Sequence, residues 1–163
     1  MVSVTSLTRA LQLGIASGIR SVTPLAGVSR AASQGSLDLP DGLPFSYLAR
    51  PDIADLLALC AGGEMLVDKL PFAPSRTVPV VLLARMAYGA SAAGLGAAGH
   101  GESVPLGTGL GALAAAWGGI AATEARKKLV RYGIPDPIIG LAEDALALTL
   151  TLAALPRLSL RVR

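Results

Sequence analysis

Between Glu102 and Glu124 the chain runs for 21 residues, Ser103 to Thr123, without one ionisable side chain. About 20 predominantly apolar residues in a helix are what it takes to cross the roughly 30 Å hydrocarbon core of a bilayer. In a chain of only 163 residues, such a run points to a membrane helix before anything else. Composition agrees: 52% of residues are hydrophobic and 15% charged, where a soluble domain carries about 25% charge. Aromatics supply only 4%, while glycine reaches 19 residues and the mean hydropathy is +0.58. Small apolar residues in that proportion suit closely packed helices. The expected fold is all-α and integral to a membrane. It is read as one membrane-embedded helical domain over residues 1–163, with about five hydrophobic helices, one or two of them short or re-entrant.

The other apolar segments follow from their punctuation. Leu7 to Arg30 reads as one hydrophobic helix that carries Arg20 and is bent or broken by Pro24, since proline removes a helix hydrogen bond. A cleaved signal peptide is the lesser alternative, because Arg20 interrupts the apolar run. Residues 32–51, rich in Gly, Pro, Ser and Asp, form a polar loop. Asp52 is the expected N-cap of a helix from Ile53 to Val67 that is too short to span, hence half-spanning, re-entrant or tucked inside the bundle. Thr77 to Ala98 and Pro137 to Leu155 complete the set.

Small residues recur every fourth position at Ala90, Gly94 and Ala98, and again at Gly107, Gly111, Ala115 and Gly119. In water such glycines cost up to about 1 kcal/mol each relative to alanine, but between membrane helices they allow close backbone approach. One of these two ridges is the expected surface of self-association, with a homodimer favoured. Membrane lipid is the other expected partner.

A net charge of +3 invites the idea of an anionic partner. The basic residues are scattered, however, apart from Arg126, Lys127, Lys128 and Arg131, and few aromatics interleave them, so nucleic acid is not expected. Cys60, the one cysteine, excludes an intramolecular disulfide and a cysteine metal cluster, and its apolar neighbours make it read as a small buried hydrophobe. Gly94-Leu-Gly96-Ala-Ala-Gly99 matches a dinucleotide fingerprint by letter, but no strand precedes it and no acid follows about twenty residues on. His100, the only histidine, reads as an exposed loop residue, with a pH sensor as the alternative. No nucleophile, metal set or cofactor motif emerges, so neither an enzyme nor a cofactor is expected.

The informative residues are the charges inside or at the edge of apolar segments: Arg20, Glu64, Asp68, Lys69, Arg85, Glu143 and Asp144. Charge in a bilayer is costly unless paired or hydrated, which makes each a functional hypothesis. Glu64 and Asp68 share a helix face at a spacing of four. Arg20, Arg76 and Arg85 are their natural partners, because guanidinium bridges carboxylates bidentately. Of the consecutive Glu143 and Asp144, one is expected to face the core. Together these side chains form a candidate binding cluster for an ion or small polar solute, in a transporter- or channel-like protein. The alternative is a non-catalytic scaffold or assembly protein whose buried charges are structural ion pairs. A weak internal repeat supports transport: a basic residue (Arg20, then Arg126) precedes a carboxylate helix (Glu64 and Asp68, then Glu143 and Asp144) in each half. Arg126 to Lys128 and the basic tail from Arg157 each argue for a cytoplasmic position.

Three stretches carry a resemblance: Ser17-Gly-Ile-Arg20-Ser-Val-Thr-Pro24, Glu64-Met-Leu-Val-Asp68-Lys69-Leu-Pro71 with Pro74-Ser75, and Ala142-Glu143-Asp144-Ala-Leu-Ala147. From about Gly14 to Leu155 the sequence resembles an uncharacterised bacterial integral-membrane family, domain of unknown function four-one-two-six, with the E-x-x-x-D-K-[IL]-P block as its most specific signature. The resemblance implies a small multi-helix protein of the inner membrane. It brings no established activity, and the Pro-rich connection from Ala32 to Pro51 is not expected to be shared.

Overall fold

The computed structural model describes residues 3–42, 45–67 and 78–156. Over these it is entirely helical: α1 (Val4–Ile19), α2 (Thr23–Ser33), α3 (Phe45–Leu48), α4 (Pro51–Val67), α5 (Pro79–Gly99), α6 (Val104–Arg131) and α7 (Asp136–Ala154). Asp68, Lys69 and Arg76, and the basic tail from Arg157, lie outside the described residues.

Three helices, α5, α6 and α7, are long and apolar enough to cross a membrane. At 1.5 Å per residue they measure about 32, 42 and 28 Å. Less than half of each apolar stretch is buried within the chain. Leu83 on α5, Leu113 and Trp117 on α6, and Leu141 and Leu152 on α7 point outward and are largely exposed. Outward-facing leucine and tryptophan on otherwise apolar helices indicate a membrane protein.

The centre is a tight cluster of α1, α5 and α6, and glycine makes it possible. A Cβ placed on Gly14 of α1 would lie 2.6 Å from both Ala114 Cβ and the Gly111 carbonyl oxygen of α6. Gly18 abuts the backbone at Ala115 and Gly119, and Gly89 abuts Gly111. The Gly107, Gly111, Ala115 and Gly119 ridge is therefore spent inside the chain, against α5 and α1, and is not a surface for self-association. Gly94 likewise meets Thr108 of α6, while Ala90 and Gly94 edge an apolar groove of about 430 Å³ between α2, α3, α5 and α6. Close backbone approach serves folding of the monomer here, by the same dispersion packing that joins separate membrane helices.

Other expectations shift as well. Of the two alternatives for the Leu7 to Arg30 segment, bent or broken at Pro24, the break is the one found, between α1 and α2. α4 begins at Pro51, so Asp52 sits inside its first turn, beside Arg50. α4 is not tucked into the bundle: it packs almost wholly on α2, with Leu56, Leu59 and Leu66 turned out and Cys60 exposed rather than buried. The polar loop is shorter than residues 32–51, because α2 continues to Ser33 and α3 lies within it. α6 runs unbroken through Arg126, whereas the chain breaks at Arg20, so the two halves differ at the basic residue that suggested a repeat.

Candidate functional site

The break between α1 and α2 follows from Pro24. A proline ring collides with the carbonyl four residues earlier, here that of Arg20, so the helix ends at Ile19 and restarts at Thr23 with Pro24 in its first turn. Arg20 is extended, with φ −135° and ψ 108°. An interrupted helix exposes carbonyls at one new end and N–H groups at the other, and such groups, once buried, need partners.

Two ionisable side chains from other helices supply those partners. The Glu64 carboxylate on α4 accepts from the Ser21 N–H through Oε1 at 2.7 Å and from the Val22 N–H through Oε2 at 2.9 Å. Arg85 on α5 donates from Nη1 to the carbonyls of Gly18 at 2.9 Å and Ile19 at 3.0 Å. Its Nη2 stands 3.7 Å from Glu64 Oε1. The anion thus caps a helix N-terminus and the cation a helix C-terminus, each opposite the sign of the local helix dipole.

Arg20 turns the other way, toward α7. Its side chain is fully buried. Nε donates to Asp144 Oδ1 at 2.5 Å, and Nη2 reaches the Gly140 carbonyl at 3.4 Å and Glu143 Oε2 at 3.6 Å. Both acids of the Glu143–Asp144 pair are buried, against the expectation that only one would be. Arg20 lies between two directions about 100° apart on α7, and Glu143 has a second cation: Arg126 Nη1 donates to its Oε2 at 3.1 Å. Arg126 in turn holds Asp136 through paired bonds of 2.7 and 2.6 Å. A chain of alternating charge, Asp136, Arg126, Glu143, Arg20, Asp144, therefore climbs from the start of α7 to its middle.

Of the expected residues, Arg20, Glu64, Arg85, Glu143 and Asp144 meet around the break. Of the three arginines expected as partners of Glu64, Arg85 stands beside it, Arg20 turns to α7 instead, and Arg76 lies outside the described residues. Arg126 and Asp136 were not expected in the cluster. The seven-residue spacing of Asp136 and Glu143 was the available signal, since two helical turns place both on one face. Among the described residues no three His, Cys, Asp or Glu side chains gather as a metal site would need.

Residues 7–158 match the family described as Domain of unknown function (DUF4126). The chain belongs to that family. No curated protein and no solved structure matches it. In this DUF4126 chain two of the motif blocks meet directly: Arg20 of the first pairs with Asp144 of the third. The second block meets the first through Glu64 and the amides of Ser21 and Val22.

A second polar feature lies between the N-terminal part of α1 and the α5–α6 turn. A cleft of about 410 Å³ there is lined by Ser3, Ser6, Glu102 and Ser103 among apolar residues, and Arg9 Nη1 bridges to Glu102 at 2.8 Å. His100, in the same turn, is half-buried rather than exposed, and its Nε2 is buried without a hydrogen-bond partner among the described residues. Burial and the nearby Arg9 guanidinium hold its pKa below the ordinary imidazole value, against the opposing pull of Glu102 and the Ala154 backbone.

Proposed function

We propose that the protein is a small multi-pass transporter- or channel-like protein of the cell inner membrane, and that the interrupted α1–α2 crossing is where an ion or small polar solute binds. The observation that carries this reading is that both ends of the break are held by ionisable side chains from separate helices, Glu64 and Arg85. Discontinuous helices whose ends offer partial charges within the membrane are how many secondary transporters bind their solutes. Asp68 and Lys69, four and five residues after Glu64 in the sequence, belong to the same proposed cluster by sequence.

The test is flux through proteoliposomes, recorded electrically over a panel of monovalent cations, halides and small carboxylates. Glu64→Gln and Arg85→Met should abolish a current that the unaltered protein carries. A protein that moves none of the panel defeats the reading.

A scaffold or assembly role is the second reading, favoured by one observation. The members of the Asp136–Arg126–Glu143–Arg20–Asp144 chain pair with one another at 2.5 to 3.6 Å. It calls for a stable partner that co-purifies and for no flux. A homodimer is compatible with either reading, through the outward faces of α4 or α6 rather than through the glycine ridge.

A further inference from the structure

The geometry points to an anionic phospholipid as the partner of the C-terminal end of α6, its phosphate held by Lys128 and Arg131 with Lys127 beside them. This goes beyond the transport reading and does not depend on it; it uses only α6 and α7 as membrane helices. Val104 to Thr123, all but the first residue of the uncharged run, is helical and measures about 30 Å, the depth of the hydrocarbon core. α6 then continues for about two more turns, to Arg131.

α7 places the same boundary independently. Its first residue, Asp136, is bonded to Arg126 at 2.7 and 2.6 Å, so the two stand at one level. Two residues on, Ile138 opens an outward apolar face that Leu141 continues. The chain between Arg126 and Asp136 therefore lies beyond the hydrocarbon. Along α6, Lys128 stands about 3 Å and Arg131 about 8 Å past Arg126, and the headgroup layer on each side of a bilayer is roughly 5–8 Å deep. Both cations lie at the depth of lipid phosphates.

The patch also has charge to spare. Arg126 is committed to Asp136 and Glu143, and Lys127 to Glu124 at 2.7 Å. Lys128 and Arg131 are exposed, and neither side chain has an ion-pair or hydrogen-bond partner among the described residues. Their spacing of three puts them on one face of the helix, with Arg131 between Lys127 and Lys128 in a sector about 100° wide. Val130 and Tyr132 flank them and are exposed. Outward apolar and tyrosine side chains at the end of a membrane helix suit the boundary between headgroups and acyl chains. An exposed pair of cations at that boundary complements a lipid phosphate in charge and in position.

The experiment uses the full chain in detergent micelles, titrated with dioleoyl phosphatidylglycerol and separately with dioleoyl phosphatidylcholine, with bound lipid counted by native mass spectrometry. Each basic residue near an anionic surface contributes a factor of about five. Phosphatidylglycerol should therefore bind about 25-fold more tightly than phosphatidylcholine, and Lys128→Gln or Arg131→Gln should each remove about fivefold. The double variant should lose most of the preference. Glu124→Gln releases Lys127 and should strengthen phosphatidylglycerol binding by up to about fivefold. Arg50→Gln, which removes a cation just before α4, should leave the preference unmoved and so separates a local site from a general effect of charge.

Equal binding of the two lipids, or a preference that survives the double variant, overturns the proposal. A role confined to offsetting the α6 dipole would give that second result together with a lower melting temperature. Displacement of phosphatidylglycerol by an equal concentration of free glycerol 3-phosphate would assign the patch to a soluble anion and also overturn it. A chain monodisperse in water without detergent would remove the membrane reading and this proposal with it, whereas equal binding of the two lipids by a detergent-dependent chain removes the proposal alone.

Discussion

Removing Arg20 is the sharpest single test of how the break between α1 and α2 is held together. Its guanidinium is fully buried against Asp144 at 2.5 Å, with Glu143 at 3.6 Å. The two acids keep only 12% and 10% of their side-chain surface exposed. Breaking one partner out of a buried pair costs about 3–5 kcal/mol, because the remaining charge loses its compensation, whereas neutralising both partners costs far less. Arg20→Met should therefore destabilise by about that amount, a large part of the 5–15 kcal/mol typical of a whole fold. The structure also says which second change should recover the loss. Glu143 retains Arg126 at 3.1 Å, so the acid most affected is Asp144. Adding Asp144→Asn to Arg20→Met should restore most of the stability, and adding Glu143→Gln should restore none. Reversible unfolding in mixed detergent micelles, run as a double-mutant cycle, measures each value. A loss below about 1 kcal/mol for Arg20→Met, or rescue by Glu143→Gln in place of Asp144→Asn, would refute the assigned pairing.

Two other outcomes follow. A side chain at Gly14 would strike α6, with its Cβ 2.6 Å from the Gly111 carbonyl oxygen, so Gly14→Val should cost upwards of about 1–3 kcal/mol, while Gly62→Ala should stabilise by up to about 1 kcal/mol; equal effects at the two positions in the same unfolding assay would contradict the packing. His100 has its pKa lowered in the folded chain, chiefly by burial, so as pH falls the unfolded chain takes up the proton first. Stability should be full above about pH 6.5 and decline below it, and His100→Gln should flatten that slope in melting curves recorded against pH.

Helix positions and the identity of the buried charges were legible in the sequence for a physical reason. Both are local: a run of uncharged residues, or a proline that forbids continuation at Pro24 or Pro156, acts on its own neighbours. Pro137 to Leu155 accordingly became α7 at Asp136–Ala154. Pairings were less legible, because they depend on how helices rotate about one another. Arg20 precedes an acid on α4 and acids on α7, and only the depth at which glycines let α1 sink against α6 turns it toward α7. The same rotation puts Glu64 opposite Arg85. The glycine ridge illustrates a different gap: spacing identifies a surface made for close approach, and it is silent on whether the approaching helix comes from the same chain. His100 was misplaced because the burial of a turn residue is decided by what lies across it, here α1 and the end of α7.

The Arg20–Asp144 pair joins residues 124 positions apart, and that distance is also an interval of time. At about 5–20 residues per second, a ribosome needs roughly 6 to 25 s to make the intervening chain. Throughout it the α1–α2 segment carries a positive charge whose partner on α7 has not been synthesised, and a break whose Arg85 arrives only midway. The first helix to emerge is thus among the last to be secured. A chain stopped before Asp136 would be less a shortened version of this protein than one arrested during its own biogenesis.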